Sequence, residues 1–219
     1  MSMLRLFALA WPVTALGPGD RAVLWVAGCP RDCPGCISPE MQPNDAGEDV
    51  PAATLAARLE RIATPLDGVT ISGGEPFDQA EALSGLLDRL RASRPDWTVL
   101  VYTGYLIEEL RADPGRAGLL GFIDMLADGP YRQEIPRSHP LTGSGNQRVH
   151  YLTPRGAALR EAVEALEPGT MNLGLSRSGH TDMLIGVTDA QKRADACREL
   201  TAPPPEHDPA RRKDDSRCC

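Results

Sequence analysis

Three cysteines within eight residues, directly after a short apolar run, constrain the fold more than any other feature of the sequence. The run covers residues 22–28, and Cys29, Cys33 and Cys36 follow in a CxxxCxxC spacing. Thiolate sulfur is a soft ligand, and a tight loop lets three thiols converge on one 4Fe-4S cluster. One iron then has no protein ligand and can bind a substrate or cofactor directly, whereas a ferredoxin closes its cluster with a fourth cysteine. The sequence therefore predicts a cluster-binding loop at the end of a strand.

Zinc and a disulfide are the alternative uses of these cysteines. Structural zinc usually takes four Cys or His ligands, and the histidine nearest to the loop in sequence is His139. A disulfide would suit a secreted chain, but residues 1–7 have too short an apolar stretch for a signal peptide. The six cysteines are clustered rather than spread as a disulfide framework, which favours a reducing, cytoplasmic location.

Length and charge exclude several classes of protein. With 219 residues, of which 42% are hydrophobic, the chain can form one domain, which we expect over residues 1–200. The Pro-rich and charged residues 201–219 cannot form a core and are expected to be disordered. No segment approaches the roughly 20 apolar residues that span a bilayer, so no membrane association is expected. The net charge of −7 gives no basic footprint for binding nucleic acid.

Apolar runs alternate with helical patterns along most of the chain. Strands are predicted over residues 3–10, 22–27, 68–72, 97–102, 122–127 and 147–152, with a turn at 17–20 between the first two. Helices are predicted over residues 51–63, from an Asp78 cap to about Ser93, and over 107–110. A hairpin at 172–175 and 183–187 and a helix over about 189–200 complete the chain.

This alternation predicts an α/β fold with a parallel sheet whose ligand sites lie at the carboxyl ends of the strands. Five or six β-α units fall short of the eight in a closed barrel, so the prediction is an open, partial (β/α) barrel. Trp11, Trp25 and Trp97 are expected in the core.

A second motif follows the predicted strand at residues 68–72. Gly73 and Gly74 let a ligand approach the backbone closely, and Glu75 is placed to accept a hydrogen bond from an ammonium group. The alternative is an ordinary turn from a strand to a helix, with an acidic residue favoured by the helix dipole.

Together these motifs resemble the radical S-adenosylmethionine (radical SAM) superfamily and, within it, the anaerobic ribonucleotide reductase activating proteins. The segments that carry the resemblance are GCPRDCPGC at 28–36, SGGEP at 72–76, VYTGY at 101–105, DGPY at 128–131 and GNQR at 145–148. They occur in the order seen in that family, and the resemblance covers residues 21 to about 152 and is expected to extend to the hairpin after them.

The resemblance implies a reductive cleavage of S-adenosylmethionine to a 5'-deoxyadenosyl radical that abstracts a hydrogen atom. Cys29, Cys33 and Cys36 would hold the cluster that generates the radical. The cofactor site would be lined by Gly35, Ile37, Gly73 and Gly74, and Glu75 would hold the methionyl amine. The superfamily often has an aromatic residue where this chain has Gly35, which removes one contact with the adenine. An electron donor of the flavodoxin or ferredoxin type is expected.

Three more polar residues lie at predicted strand ends. Thr103 is a candidate for bonding a ribose hydroxyl, or simply a β-branched residue that finishes a strand. Asp128 is a candidate catalytic residue that reaches the cofactor or substrate, or the first residue of an Asp-Gly turn. Arg148 is a candidate partner of the cofactor carboxylate, or a residue of a solvated face.

Three functions are compatible with these features. The first is an activating enzyme that installs a glycyl radical on a partner protein such as anaerobic ribonucleotide reductase. The second is a radical SAM enzyme that modifies a peptide or small molecule, favoured by Ala-, Arg-, Pro- and Gly-rich usage typical of a GC-rich source. The third is an electron-transfer protein, against which the missing fourth cluster ligand counts.

Overall fold

The alternating pattern folds into a mixed α/β structure around a seven-stranded sheet. The computed structural model describes residues 2–165, 174–178, 181–186 and 198. The strands of the sheet are β1 Met3–Val13, β2 Arg21–Val26, β3 Glu48–Pro51, β4 Gly68–Gly73, β5 Thr98–Tyr102, β6 Met125–Asp128 and β7 Arg148–Tyr151. The helices are α1 Ala52–Glu60, α2 Ala80–Ser93, α3 Ile107–Ala112, α4 Pro114–Ala117, α5 Pro154–Ala158 and α6 Arg160–Glu164. Short 3-10 turns cover Pro39–Met41, Pro76–Gln79 and Gly118–Phe122.

The sheet is open and has the strand order β3-β1-β2-β4-β5-β6-β7. Its four central strands, β2, β4, β5 and β6, run parallel. The outer strands β1, β3 and β7 run antiparallel to their neighbours. The parallel α/β core is therefore confirmed, and so is the prediction that the first two segments are strands; the structure shows that they pair antiparallel. The prediction of a further parallel unit at β7 is wrong, since that strand returns beside β6. Closure as a partial barrel of the radical SAM type stays a prediction.

The main core lies between the sheet and helices α1 and α2. Leu55 and Leu59 of α1 and Leu83, Leu86 and Leu90 of α2 are at most 3% exposed and pack against the strands. These leucines recur at helical spacing, which gives each helix one apolar face. The helices therefore cover the sheet and leave the carboxyl ends of its parallel strands for the loops that carry the sequence motifs.

Two predicted details at the helix and strand ends are wrong. Asp78 does not cap α2, because residues Pro76–Gln79 first form a 3-10 turn and Asp78 instead accepts a hydrogen bond from the Tyr105 hydroxyl at 2.9 Å. Trp11 is 43% exposed rather than buried, since it lies where the pairing of β1 with β2 shifts register. Trp25 and Trp97 are both 5% exposed and confirm the prediction.

The hairpin predicted after residue 171 is confirmed. It consists of β8 Gly174–Ser178 and β9 Thr181–Ile185, which pair antiparallel. Ile185 is buried in a second apolar cluster that also contains Val23 and Trp25. Of the predicted helix over 189–200 only Arg198 is described, and it is helical; the tail at 201–219 lies outside the described residues. In the described part of the chain, no helix has the length and apolarity needed to cross a bilayer.

Candidate functional site

The cysteine loop begins where β2 ends and is closed at its base by backbone hydrogen bonds. Gly28 N donates to the Met41 carbonyl at 2.8 Å, and Cys29 N donates to the Gln42 carbonyl at 2.9 Å. Gly28 has a φ of +92°, which an L side chain rarely adopts, and a Cβ there would meet Asn44 Oδ1 at 2.4 Å. The backbone therefore leaves β2 in a sharp turn that presents the cysteines beyond the sheet edge.

The three thiols are half-buried and none forms a disulfide. Burial raises the pKa of the Cys29 thiol, and the nearby Glu75, Cys33 and Cys36 raise it further against the lowering effect of a backbone hydrogen bond from Arg31. Among the described residues, no three His, Cys, Asp or Glu side chains are grouped to hold a single metal ion. A 4Fe-4S cluster makes a different demand, because each cysteine binds its own iron atom.

The Gly73-Gly74-Glu75 turn is bonded directly to the base of the cysteine loop. Gly74 N donates to the Val26 carbonyl at 2.7 Å, and Glu75 N donates to the Gly28 carbonyl at 2.8 Å. A Cβ on Gly74 would meet the Gly28 carbonyl oxygen at 2.2 Å. The two motifs thus form one unit because both glycines leave room for this close approach of two backbones.

The Glu75 carboxylate is 1% exposed and lies among hydrogen-bond donors. Oε1 accepts from Phe77 N at 3.0 Å and from Thr103 Oγ1 at 2.8 Å, and Oε2 accepts from Gly104 N at 2.8 Å. Burial raises the pKa of Glu75 to about 7, although these three hydrogen bonds favour the charged form. The three hydrogen bonds therefore offset only part of the cost of burying the charged carboxylate.

Thr103 and Gly104 come from the end of β5, the neighbour of β4. The hydroxyl of Thr103 donates to Glu75 and accepts from Tyr105 N at 3.1 Å. The contact with Glu75 was not anticipated from the sequence, and the proposed bond from Thr103 to a ribose hydroxyl stays a prediction.

Arg31 lies between the first two cysteines in sequence, and its side chain contacts Tyr105 and Glu75. Its guanidinium carbon is 4.0 Å from the centre of the Tyr105 ring, and its Nε lies 3.9 Å from Glu75 Oε2. A Cβ on Gly104 would meet Arg31 Cδ at 2.4 Å, so glycine at 104 makes room for this side chain. Arg31 and Gly104 lie inside motifs recognised in the sequence, but the folded chain is needed to show that they meet.

The rest of the cysteine loop faces the segment after β6. Gly35 has a φ of +70°, and a Cβ there would meet Gln133 Oε1 at 2.0 Å. Gln133 belongs to no motif, so no sequence signal indicated this contact. Ile37 is half-buried directly after Cys36. The roles of Gly35 and Ile37 in binding a cofactor stay predictions.

Asp128 and Arg148 contact each other at the end of β6. Asp128 is fully buried; its Oδ2 accepts from Ile107 N at 2.8 Å and from Arg148 Nη2 at 2.7 Å. Arg148 also donates to both carboxylate oxygens of Glu108, at 3.1 and 2.8 Å. These contacts join β6 to the start of α3 and to β7. A catalytic role for Asp128 and a cofactor contact for Arg148 stay predictions.

Known proteins are similar to this chain over the region that carries the motifs. Residues 15–150 match the family described as a 4Fe-4S single cluster domain. The anaerobic ribonucleoside-triphosphate reductase-activating protein of Escherichia coli K12 is 31% identical over 142 residues, which are 62% of this chain and 91% of that protein. The protein of the same name from Haemophilus influenzae is 34% identical over 140 residues, which are 61% of this chain and 89% of its own length. The chain belongs to the family of anaerobic ribonucleoside-triphosphate reductase-activating proteins. A relative with the same name from Enterobacteria phage T4 is 30% identical over 138 residues, with 61% of this chain and 85% of that protein covered.

The family match covers every site residue that the sequence analysis predicted. Cys29, Glu75, Thr103, Asp128 and Arg148 all lie within residues 15–150, and so do Gly104 and Arg31. The structure brings the first three of these and Arg31 together and places Asp128 and Arg148 in a separate ion-paired group. The site is therefore formed by the part of the chain that is shared with the family.

Proposed function

We propose that this chain is a radical SAM enzyme that installs a glycyl radical on a partner such as anaerobic ribonucleotide reductase. The observation that carries the proposal is the direct bonding of the cysteine loop to the turn that holds Glu75, with Glu75 N 2.8 Å from the Gly28 carbonyl oxygen. This joins the loop that carries three half-buried thiols to the turn that carries a buried carboxylate, at the carboxyl ends of β2 and β4. Membership in the family of reductase-activating proteins supports the same partner.

The donor set fits a 4Fe-4S cluster with an open iron. Cys29, Cys33 and Cys36 supply three soft ligands from one loop, and all three thiols are free of disulfides. Cluster binding requires thiolates, so it would displace the protons that burial favours on Cys29. When bound, the cluster and S-adenosylmethionine would supply a reductive cleavage that yields a 5'-deoxyadenosyl radical.

The chain's own residues would bind and orient the amino-acid end of the cofactor. Glu75 is buried and its carboxylate is fixed by Phe77 N and by two donors at the end of β5, so it would accept the methionyl ammonium without rearrangement. An ammonium beside Glu75 would stabilise the ionised carboxylate, which burial disfavours. The glycines at 73 and 74 would let the ligand lie against the backbone.

Access for a partner is supported by the surface next to the cysteine loop. A groove of about 560 Å³ borders the loop at Pro30 and is lined further by Phe77, Asp78, Tyr105 and Arg116. A glycine in a partner's loop is a suitable target, because it has no side chain to obstruct close approach. Its radical would be delocalised between the flanking amide groups.

The proposal predicts a stable glycyl radical on the cognate reductase. The anaerobically reconstituted chain would be mixed with reductant, S-adenosylmethionine and the reductase, and the product examined by electron paramagnetic resonance for a doublet. Cys33→Ala removes one ligand thiolate, so iron, sulfide and 5'-deoxyadenosine should all fall to background. Cys197→Ala is the matched control and should retain all three.

Two outcomes contradict the proposal at different levels. A chain with a full cluster that releases no 5'-deoxyadenosine would not be a radical SAM enzyme, and electron transfer would be favoured. Release of 5'-deoxyadenosine without any glycyl radical, together with alteration of a peptide or small molecule, would favour the second function.

A further inference from the structure

We propose that Arg31 binds the carboxylate of the amino-acid end of S-adenosylmethionine, next to Glu75, which takes the ammonium. The inference deepens the proposed function and rests on it. It assigns a ligand contact to a residue of the cysteine loop that is not itself a cluster ligand.

The Arg31 guanidinium has one buried donor that is not used within the described part of the chain. Its Nε is buried and has no hydrogen-bond partner there. The guanidinium is held instead by the Tyr105 ring and by two longer ion pairs, at 3.6 Å to Glu109 Oε2 and 3.9 Å to Glu75 Oε2. A buried donor without a partner is costly, so its presence beside the predicted cofactor site points to a ligand.

Other arginines show what a purely structural role looks like in this chain. Arg21 is fully buried and donates five hydrogen bonds, four to neighbouring strands and one to the Pro18 carbonyl in the turn before β2. Arg148 donates four, to Glu108 and Asp128. Arg148 was the sequence-based candidate for the cofactor carboxylate, but the contacts leave Arg31 better placed for that role.

Glu75 has an unused hydrogen-bond acceptor position on Oε2, the oxygen nearest to Arg31. A carboxylate oxygen has two acceptor positions. Oε1 accepts two hydrogen bonds, from Phe77 N and Thr103 Oγ1, whereas Oε2 accepts one, from Gly104 N. Arg31 Nε is 3.9 Å from Oε2, too far for a hydrogen bond between them.

An unused donor and an unused acceptor at this separation suit a zwitterion. An α-amino acid carries an ammonium and a carboxylate on one carbon, so it can donate to Glu75 and accept from Arg31 at the same time. Guanidinium is the side-chain group best shaped for a carboxylate. The Arg31 side chain is 21% exposed, so it is not sealed from an incoming ligand.

The test compares two ligands on the cluster-loaded chain without reductant, so that binding is measured and no turnover occurs. The ligands are S-adenosylmethionine and decarboxylated S-adenosylmethionine, which keeps the amine and lacks the carboxylate. Arg31→Gln should weaken binding of the first about ten- to a hundredfold, the range for loss of a charge-assisted hydrogen bond, and leave the second unchanged. Isothermal titration calorimetry gives both dissociation constants.

Three further variants separate a direct contact from a general effect. Glu75→Gln should weaken both ligands, since the amine is common to them. Arg31→Lys keeps the charge but not the planar fork and should fall between wild type and Arg31→Gln. Arg58→Gln, on the exposed face of α1, should change neither constant.

Each contrary result has a distinct meaning. Equal weakening of both ligands by Arg31→Gln, or loss of iron and sulfide from Arg31→Gln and Arg31→Lys alike, would show that Arg31 only holds the loop and would overturn the inference. A wild-type chain with a full cluster and no affinity for S-adenosylmethionine would instead refute the proposed function.

Discussion

At the residue scale, Glu75 has an acid–base property that can be measured without any cofactor. Burial raises its folded-state pKa from 4.5 to about 7. The folded state therefore binds the Glu75 proton more tightly than the unfolded state does. The stability that this proton contributes is complete below pH 4.5 and is lost as the pH rises through about 7.

We predict that Glu75→Gln removes this pH dependence. Between pH 5 and 8 the free energy of unfolding of wild type should fall relative to that of the variant by about 2.5 kcal/mol, the value that linkage gives for such a shift. Urea unfolding followed by circular dichroism at several pH values measures the difference. If the difference in the free energy of unfolding between the two proteins does not change with pH, the pKa of Glu75 is not raised in the folded state.

The sequence predicted the location of Glu75 better than its surroundings. Two glycines and a glutamate after an apolar strand indicate a ligand-binding turn from local pattern alone. Thr103 and Gly104 reach Glu75 because Ile71 of β4 pairs with Val101 of β5, which sets the two strand ends level. That register depends on the packing of the whole sheet, so no local signal contains it.

At the scale of the elements, the buried Arg21 ties three parallel strands together at their amino ends. It begins β2 and donates to Thr70 Oγ1 and the Val69 carbonyl on β4, and to the Thr98 hydroxyl and carbonyl on β5. A fifth hydrogen bond goes to the Pro18 carbonyl. Burial lowers its pKa to about 10, so it remains charged at neutral pH.

We predict that Arg21→Met destabilises the fold by about 3 kcal/mol or more, because several buried acceptors lose their donor at once. Arg89→Met is the matched control: Arg89 pairs with Glu60 on the surface, where solvent screens the two charges, so its loss should cost far less stability than the loss of Arg21. Urea unfolding of both variants provides the comparison. Similar losses for the two would mean that the Arg21 network contributes little.

Strand β2, which begins at Arg21, also shows which features a local sequence pattern does not predict. The central strands were predicted within a few residues because they are almost continuously apolar. Arg21 was left outside β2 because a charged residue is rarely buried, and only the backbone acceptors of neighbouring strands make it possible there. Strand β3 was missed because Glu48 and Asp49 give an edge strand no apolar pattern.

At the scale of the whole molecule, the predicted site and the residues after it lie in different segments of the chain. All predicted site residues lie between Cys29 and Arg148, and the family match ends at residue 150. The hairpin β8–β9 nevertheless contributes to the core, because Ile185 is 2% exposed and lies in the cluster of Val23 and Trp25. Residues after the hairpin include the Pro-rich segment that composition predicts to be disordered.

Two truncations test this division. A chain ending at residue 200 should bind the same iron and sulfide as the full chain and unfold at the same urea concentration, because it keeps the loop cysteines and Ile185. A chain ending at residue 173 should be destabilised by about 2 to 4 kcal/mol, since losing a buried Ile removes its apolar contacts and uncovers its neighbours. Loss of cluster from the longer truncated chain would contradict the assignment of the three ligands. Cys218→Ala and Cys219→Ala in the full chain would then show whether the tail supplies a thiolate.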